Sequence, residues 1–106
     1  TDYVHLRRPA VGPAGVPLRV SGTGGQAYPY DVAISRGGVV VSTGFVLNGA
    51  SRFDLVVVYD QPTAADWQRL ELEAGDQSGT GVVLSATAVI VGGYDGHRLS
   101  LWRFER

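Results

Sequence analysis

The stretch "YDVAISRGGVVVSTGFVL", residues 30 to 47, limits the fold more than any other part of the chain. Two runs of strand-forming residues flank Gly37 and Gly38, and a glycine pair accepts the positive φ angles of a tight hairpin turn. A two-residue turn pairs Ile34 with Val41. It places Val32, Ile34, Val39, Val41, Phe45 and Leu47 on one face and Ala33, Ser35 and Ser42 on the other. This pattern predicts an antiparallel hairpin with one apolar face.

The rest of the chain is also divided into short segments by turn-forming residues. Fifteen glycines and five prolines punctuate segments rich in valine, leucine and tyrosine. Such spacing is typical of many short strands in an all-β sandwich or barrel. We expect strands at 3–7, 17–21, 30–35, 39–47, 53–59, 67–74, 82–91 and 98–104.

The segment after residue 47 has two alternative turns. A tight Asn48-Gly49 turn would bring Arg52 onto the apolar face. A five-residue loop over "NGASR" instead sets Phe53 opposite Leu47, and this loop is the one we predict.

The final strand has apolar residues on both faces. Leu99 and Leu101 share one face, whereas Trp102 and Phe104 share the other. We therefore expect a strand that is buried on both faces or bulged near Leu101.

Composition restricts the class of protein. With 106 residues, of which 44% are hydrophobic and 18% charged, the chain predicts one globular domain over residues 1–106. A net charge of -1 with both signs dispersed argues against nucleic-acid binding. No apolar run approaches the ~20 residues of a membrane helix. The absence of cysteine excludes disulfides, thiolate zinc sites and cysteine nucleophiles.

The sequence matches the residue pattern of a dinucleotide-binding fingerprint but lacks the helix that should follow it. Gly22, Gly24 and Ala27 fit G-x-G-x-x-A after an apolar run. The fingerprint needs a helix to begin there, because the pyrophosphate lies on the helix N-terminus. Pro29 and a strand-like run follow instead, so we predict a glycine-rich connection and no cofactor.

Catalytic and metal-binding patterns are also weak. A triad drawn from Ser21 or Ser51, His97 and an aspartate has no supporting spacing, and no G-x-S-x-G elbow exists. We predict no catalytic residue. A hydrolase would need a cleft that joins His5 or His97 to an aspartate and a serine.

Calcium is a minor alternative. The aspartates at predicted turns are not in a D-x-D-x-D array, and turn aspartates commonly cap their own backbone. They are Asp60, Asp66, Asp76 and Asp95. We predict no metal site.

Aromatic side chains near turns and strand ends are the remaining candidates for binding. Rings at such positions stack on sugars or anchor peptides when they are exposed, although in small β domains they more often belong to the core. The candidate ligand-binding residues are Tyr28, Tyr30, Trp67 and Trp102.

Several stretches carry a resemblance to a known family. They are "YVHLRRPAVG", "VPLRVSGTGG", "YDVAISRGGVVVSTGFV", "SRFDLVVVYDQP" and "LELEAGDQSG". Over residues 3 to about 92 the chain resembles the immunoglobulin-like domain of bacterial spore germination and sporulation proteins, the type found beside a GerMN domain. The resemblance implies an immunoglobulin-like antiparallel β-sandwich of seven to eight strands in a non-catalytic, extracytoplasmic module. The stretch "YDGHRLSLWRFER" extends beyond the family's usual end.

These observations predict a non-catalytic accessory module of a bacterial envelope or secreted protein, acting in protein interaction through loops or an edge strand. The terminal "RLSLWRF" is the predicted edge, since an uncovered edge is a template for strand addition by a partner or a second copy. The alternative is a carbohydrate- or peptidoglycan-binding module that uses the turn aromatics.

Overall fold

The computed structural model describes residues 3–5, 18–20, 26–49, 52–61, 68–72 and 76–106. Within these ranges the chain is all-β, and no helix is long and apolar enough to cross a membrane. The strands are β1 (Tyr3–His5), β2 (Leu18–Val20), β3 (Gln26–Ile34), β4 (Val40–Asn48), β5 (Arg52–Asp60), β6 (Gln68–Leu72), β7 (Gln77–Leu84), β8 (Ala88–Asp95) and β9 (Arg98–Glu105).

The strands form two main antiparallel sheets and a small ribbon. One sheet has the order β3-β4-β5-β6 and the other β7-β8-β9, while β1 pairs with β2. This arrangement confirms the predicted all-β class and is consistent with a β-sandwich. Neighbouring strands in each sheet are consecutive in sequence, whereas immunoglobulin sandwiches exchange strands between sheets through Greek-key connections. The immunoglobulin-like identity therefore stays a prediction.

The main core lies between the two sheets. Val41 of β4 and Leu55 and Val57 of β5 pack against Val82 of β7 and Val91 of β8. Trp102 and Phe104 of β9 are half-buried against the same cluster. One face of β9 is thus fixed on the core.

The other face of the larger sheet carries a second core. Val46 of β4 and Val56 and Val58 of β5 cluster there with Ala27 of β3 and Val20 of β2. Strand β5 is therefore buried on both faces from residue 54 to residue 60. A continuous run such as "LVVVY" is typical of a strand covered on both sides.

The β3–β4 hairpin differs from the prediction by one residue. The amide of Ser35 donates to the carbonyl of Val39 at 2.9 Å, and that of Gly38 donates to the carbonyl of Ser35 at 3.0 Å. Gly38 has φ +82°, so the loop is a three-residue turn with glycine in the left-handed position. Ile34 consequently pairs with Val40.

A one-residue shift exchanges the faces of a strand. The predicted placement of Val32 and Ile34 on the apolar face was wrong, and these side chains are 55% and 70% exposed. Val41, Phe45 and Leu47 do alternate onto one face of β4 as predicted.

The single strand predicted at 82–91 was also wrong. The segment spans β7 and β8, joined by a turn in which the amides of Thr87 and Ala88 donate to Oγ of Ser85 at 3.3 and 3.0 Å. The predicted pairing of Phe53 with Leu47 is confirmed.

Strand β9 is neither bulged nor buried on both faces. Its pairing with β8 is regular throughout, and Leu99 and Leu101 are 80% and 78% exposed. Both alternatives predicted for this strand were therefore wrong, because nothing among the described residues packs against its outer face.

Candidate interaction surface

Strand β9 forms an edge of the smaller sheet, and β8 is its one neighbour among the described strands. The amide of Arg106 donates to the carbonyl of Thr87 at 2.9 Å, which fixes the phase of the β8–β9 ladder. Hydrogen-bonded and non-hydrogen-bonded pairs alternate along an antiparallel ladder, so the even-numbered residues of β9 bond to β8. The backbone groups that point to the open edge belong to Leu99, Leu101 and Arg103.

The same odd-numbered residues place their side chains on the outer face of the sheet. Leu101 lies over Gly92 of β8, and Leu99 lies opposite Tyr94. Their side chains border a shallow groove lined by Thr80, Gly81, Gly92, Gly93, Leu99, Ser100 and Leu101. Exposed backbone donors and exposed leucines therefore occur along one edge.

The charged residues of β9 flank the two leucines: Arg98 precedes Leu99, and Arg103 and Glu105 follow Leu101. Arg103 Nε donates to Glu105 Oε1 at 2.8 Å, and both side chains are more than half exposed. This hydrogen bond raises the pKa of Arg103 above its ordinary value, aided by the charge of Glu105. An exposed pair of this kind contributes little to the free energy of unfolding, because water and salt screen the two charges.

Two other edges carry features that oppose strand addition. Strand β3 contains Pro29, which has no N–H, and a register shift between Pro29 and Asp31. On β7 the amide of Val82 donates to Asp31 Oδ2 at 2.9 Å, so a side chain of β3 covers that edge. Among the edges whose flanking residues are described, β9 alone is regular, free of proline and uncapped.

The structure brings two of the predicted binding residues together. Tyr28 and Tyr30 contact Phe45 with ring centroids 5.2 and 5.7 Å apart, and Phe45 meets Phe53 edge-on at 5.2 Å. Tyr30 is 56% exposed and Tyr28 is half-buried. These four rings form one aromatic platform on the β3-β4-β5 surface.

The two predicted tryptophans do not join this platform in the described structure. Trp102 is half-buried against the core between the sheets, which is a structural position. Trp67 lies outside the described residues.

A cleft next to Phe53 holds residues of other kinds. It is lined by Phe53, Asp76, Ser78, Tyr94, Gly96 and His97. Asp76 has φ +56°, a conformation that non-glycine residues adopt infrequently. The cleft unites His97 with an aspartate and a serine, as a hydrolase would require. No side-chain hydrogen bond among the described residues links His97 to Asp76 or Ser78.

Comparison of the chain with protein-family models, with curated proteins and with solved structures gave no match. The resemblance to the germination-protein domain stays a prediction.

The sequence predicts the β9 edge and proposes Tyr28 and Tyr30 as binding residues, but it does not predict that Phe45 and Phe53 lie beside these tyrosines. Phe45 and Phe53 were assigned only to an apolar face. The β4–β5 register, which the sequence does predict, brings Phe53 close to Phe45, whereas the pairing of Tyr28 with Phe45 depends on the β3–β4 register, for which the prediction was wrong by one residue. The cleft at His97 had no signal in the sequence, because it depends on how β7 meets the β8–β9 turn.

Proposed function

We propose that the chain is a non-catalytic immunoglobulin-like accessory module of a bacterial envelope or secreted protein, acting in protein interaction through the edge of β9. The observation that carries the proposal is the edge itself: Leu99 and Leu101 expose apolar side chains, and among the described strands none pairs with the backbone groups beside them. Strand addition uses both features, since main-chain hydrogen bonds give affinity and alternate side chains give specificity. The envelope location and the family rest on the sequence resemblance.

Photo-crosslinking in the cell tests this proposal. A photoreactive phenylalanine derivative replaces Leu101 in the protein expressed in its native bacterium, and mass spectrometry identifies the adducts. The matched control carries the same group at Ile34, which is 70% exposed on the bulged strand β3. We expect a protein adduct at position 101 that is absent at position 34. Equal labelling at the two positions would refute an interface at β9.

A second candidate function is supported by the aromatic platform. Exposed aromatic faces stack on sugar rings, and the adjoining cleft offers polar groups on Asp76, Ser78 and His97. Glycan or peptidoglycan binding is therefore the alternative. NMR titration with peptidoglycan fragments tests it, with Tyr30→Ala as the variant and Val32→Ala as the control on the same exposed strand. Shifts lost only in Tyr30→Ala would support this function, and no shift in the native chain would remove it.

The cleft also gives the enzyme hypothesis a direct test. A fluorophosphonate probe should leave Ser78 unlabelled if the module is non-catalytic, because His97 makes no hydrogen bond to that serine. Labelling of the native chain that disappears in Ser78→Ala would contradict the proposal.

A further inference from the structure

The β9 edge is complementary to itself. We propose that the partner strand is β9 of a second copy of this chain, paired antiparallel about a two-fold axis at Leu101. The inference rests on the proposed function and names its partner. Two-fold dimers are the commonest symmetric assemblies, and in them the same surface contributes from both copies.

Backbone geometry restricts the registers that are available. A two-fold axis across an antiparallel edge keeps the outer faces of both sheets on one side. The odd-numbered residues of β9 carry both the outward backbone groups and the outer-face side chains, so odd-numbered residues must pair with odd-numbered residues. Centring on Leu99 would pair only Arg98 to Ser100, and centring on Arg103 would set two arginines opposite each other. The registers that remain are centred on Ser100, Leu101 or Trp102.

Length disfavours the register centred on Ser100. Strand β9 extends from Arg98 to Glu105, so pairing about Ser100 would end at Trp102 in each copy. It would set Leu99 opposite Leu101 in each copy, but it would leave the segment from Arg103 to Glu105 beyond the paired strands.

The registers centred on Trp102 and on Leu101 differ in the charges and side chains that they place opposite each other. Centring on Trp102 sets Leu99 opposite Glu105 and brings Arg98 opposite Arg106. Centring on Leu101 pairs the strands from Arg98 to Phe104 and sets the two Leu101 side chains against each other.

The flanking pairs in this register are also compatible. Leu99 lies opposite Arg103 of the second copy, whose aliphatic stem can cover it, and the carboxylate of Glu105 approaches His97. No like-charged pair occurs. This register sets Leu101 against Leu101 and pairs the strands from Arg98 to Phe104, whereas the register centred on Ser100 sets Leu99 opposite Leu101 but ends at Trp102.

The absence of cysteine makes the register directly measurable. Leu101→Cys places two thiols on the axis, where the Cα separation of a hydrogen-bonded pair, about 5.5 Å, suits a disulfide. We expect mild oxidation to link Leu101→Cys at least about tenfold faster than Ser100→Cys or Ile34→Cys. Leu101 is exposed, so the substitution preserves the fold. Sedimentation of the native chain should show dimer increasing with concentration, and Leu101→Lys should remove it by placing two cations on the axis.

Preferential linkage of Ser100→Cys would overturn the register. Pairing with a second copy would be overturned by two results together. The native chain would remain monomeric in sedimentation, and Leu101→Cys would form the intermolecular disulfide no faster than Ile34→Cys. In that case a different protein crosslinked at Leu101 in the cell would leave the proposed function intact, so the two failures can be told apart.

Discussion

The turn between β3 and β4 depends on a single glycine. Gly38 has φ +82°, whereas Gly37 is exposed with ordinary φ and only Ser35 Oγ, at 3.8 Å, near the place a Cβ would occupy. Left-handed backbone costs a residue with a Cβ about 1–2 kcal/mol. We expect Gly38→Ala to lower the free energy of unfolding by that amount, measured by urea denaturation.

Gly37→Ala is the matched control and should change the free energy of unfolding by less than about 0.5 kcal/mol. Equal losses in both variants would indicate a two-residue turn with both glycines at positive φ, and would contradict the register described here.

Tyr59 gives the chain a pH dependence in the alkaline range. Burial raises the pKa of its phenol, but hydrogen bonds donated by Gln61 Nε2 and Arg106 Nε, each at 3.1 Å, together with the charge of Arg106, leave it below the ordinary value of 10.0. A group with a lowered pKa in the folded state binds its proton less tightly than in the unfolded chain. Its stabilising contribution is therefore fully present above about pH 10 and is lost as the pH falls through the folded pKa.

We expect the difference in free energy of unfolding between the native chain and Tyr59→Phe to grow in favour of the native chain from pH about 8 to pH about 10. Urea denaturation at several pH values measures it. A difference that is constant or decreases over this interval would show that the phenol is not held below its ordinary pKa.

At the scale of strands, the two sheets are joined along one side by a side chain. Asp31 Oδ1 accepts the amide of Val32 at 2.9 Å, and Oδ2 accepts the amide of Val82 on β7, also at 2.9 Å. Removal of the carboxylate leaves a partly buried N–H without an acceptor, which costs about 1–2 kcal/mol. Asp31→Ala should lose that much stability in urea denaturation.

The exposed Asp95 provides the comparison for this carboxylate. Asp95→Ala should change stability by less than about 0.5 kcal/mol. If Asp31→Ala is equally harmless, the β3 and β7 edges are not held together through Asp31.

The position and pairing of a strand could be predicted from the sequence wherever the β propensity of its residues and the register of its apolar side chains gave the same answer. Phe53 opposite Leu47 followed from the requirement that apolar residues share a face. The β7–β8 turn could not be predicted this way, because Ser85 uses its own hydroxyl to bind the turn amides and no glycine or proline marks the position.

Exposure was harder to predict than alternation. The two faces of β9 could be separated in the sequence, since Leu99 and Leu101 alternate with Trp102 and Phe104. Which face meets the core depends on the position of the other sheet, and this information is not local. The position of Tyr30 likewise depends on the register shift between Pro29 and Asp31.

At the scale of the molecule, the two sheets differ in how much of their surface is buried. The larger sheet is covered on both faces of β5, by the smaller sheet on one side and by Val20 of β2 on the other. Within the described part of the chain, the smaller sheet is covered on one face only, and its β9 edge lies beside the exposed leucines. Pairing of β9 with a second copy joins two three-stranded sheets into one and leaves neither β9 with a free edge.

Amide hydrogen exchange along β9, followed by NMR as protein concentration rises, tests the central claim most directly. The amides of Ser100, Trp102 and Phe104 bond to β8 and should exchange slowly at every concentration. Those of Leu99, Leu101 and Arg103 should exchange fast in dilute solution and become protected as the strands pair. If these three amides remain in fast exchange at the highest concentration and in the presence of every identified partner, β9 is not an edge used for strand addition.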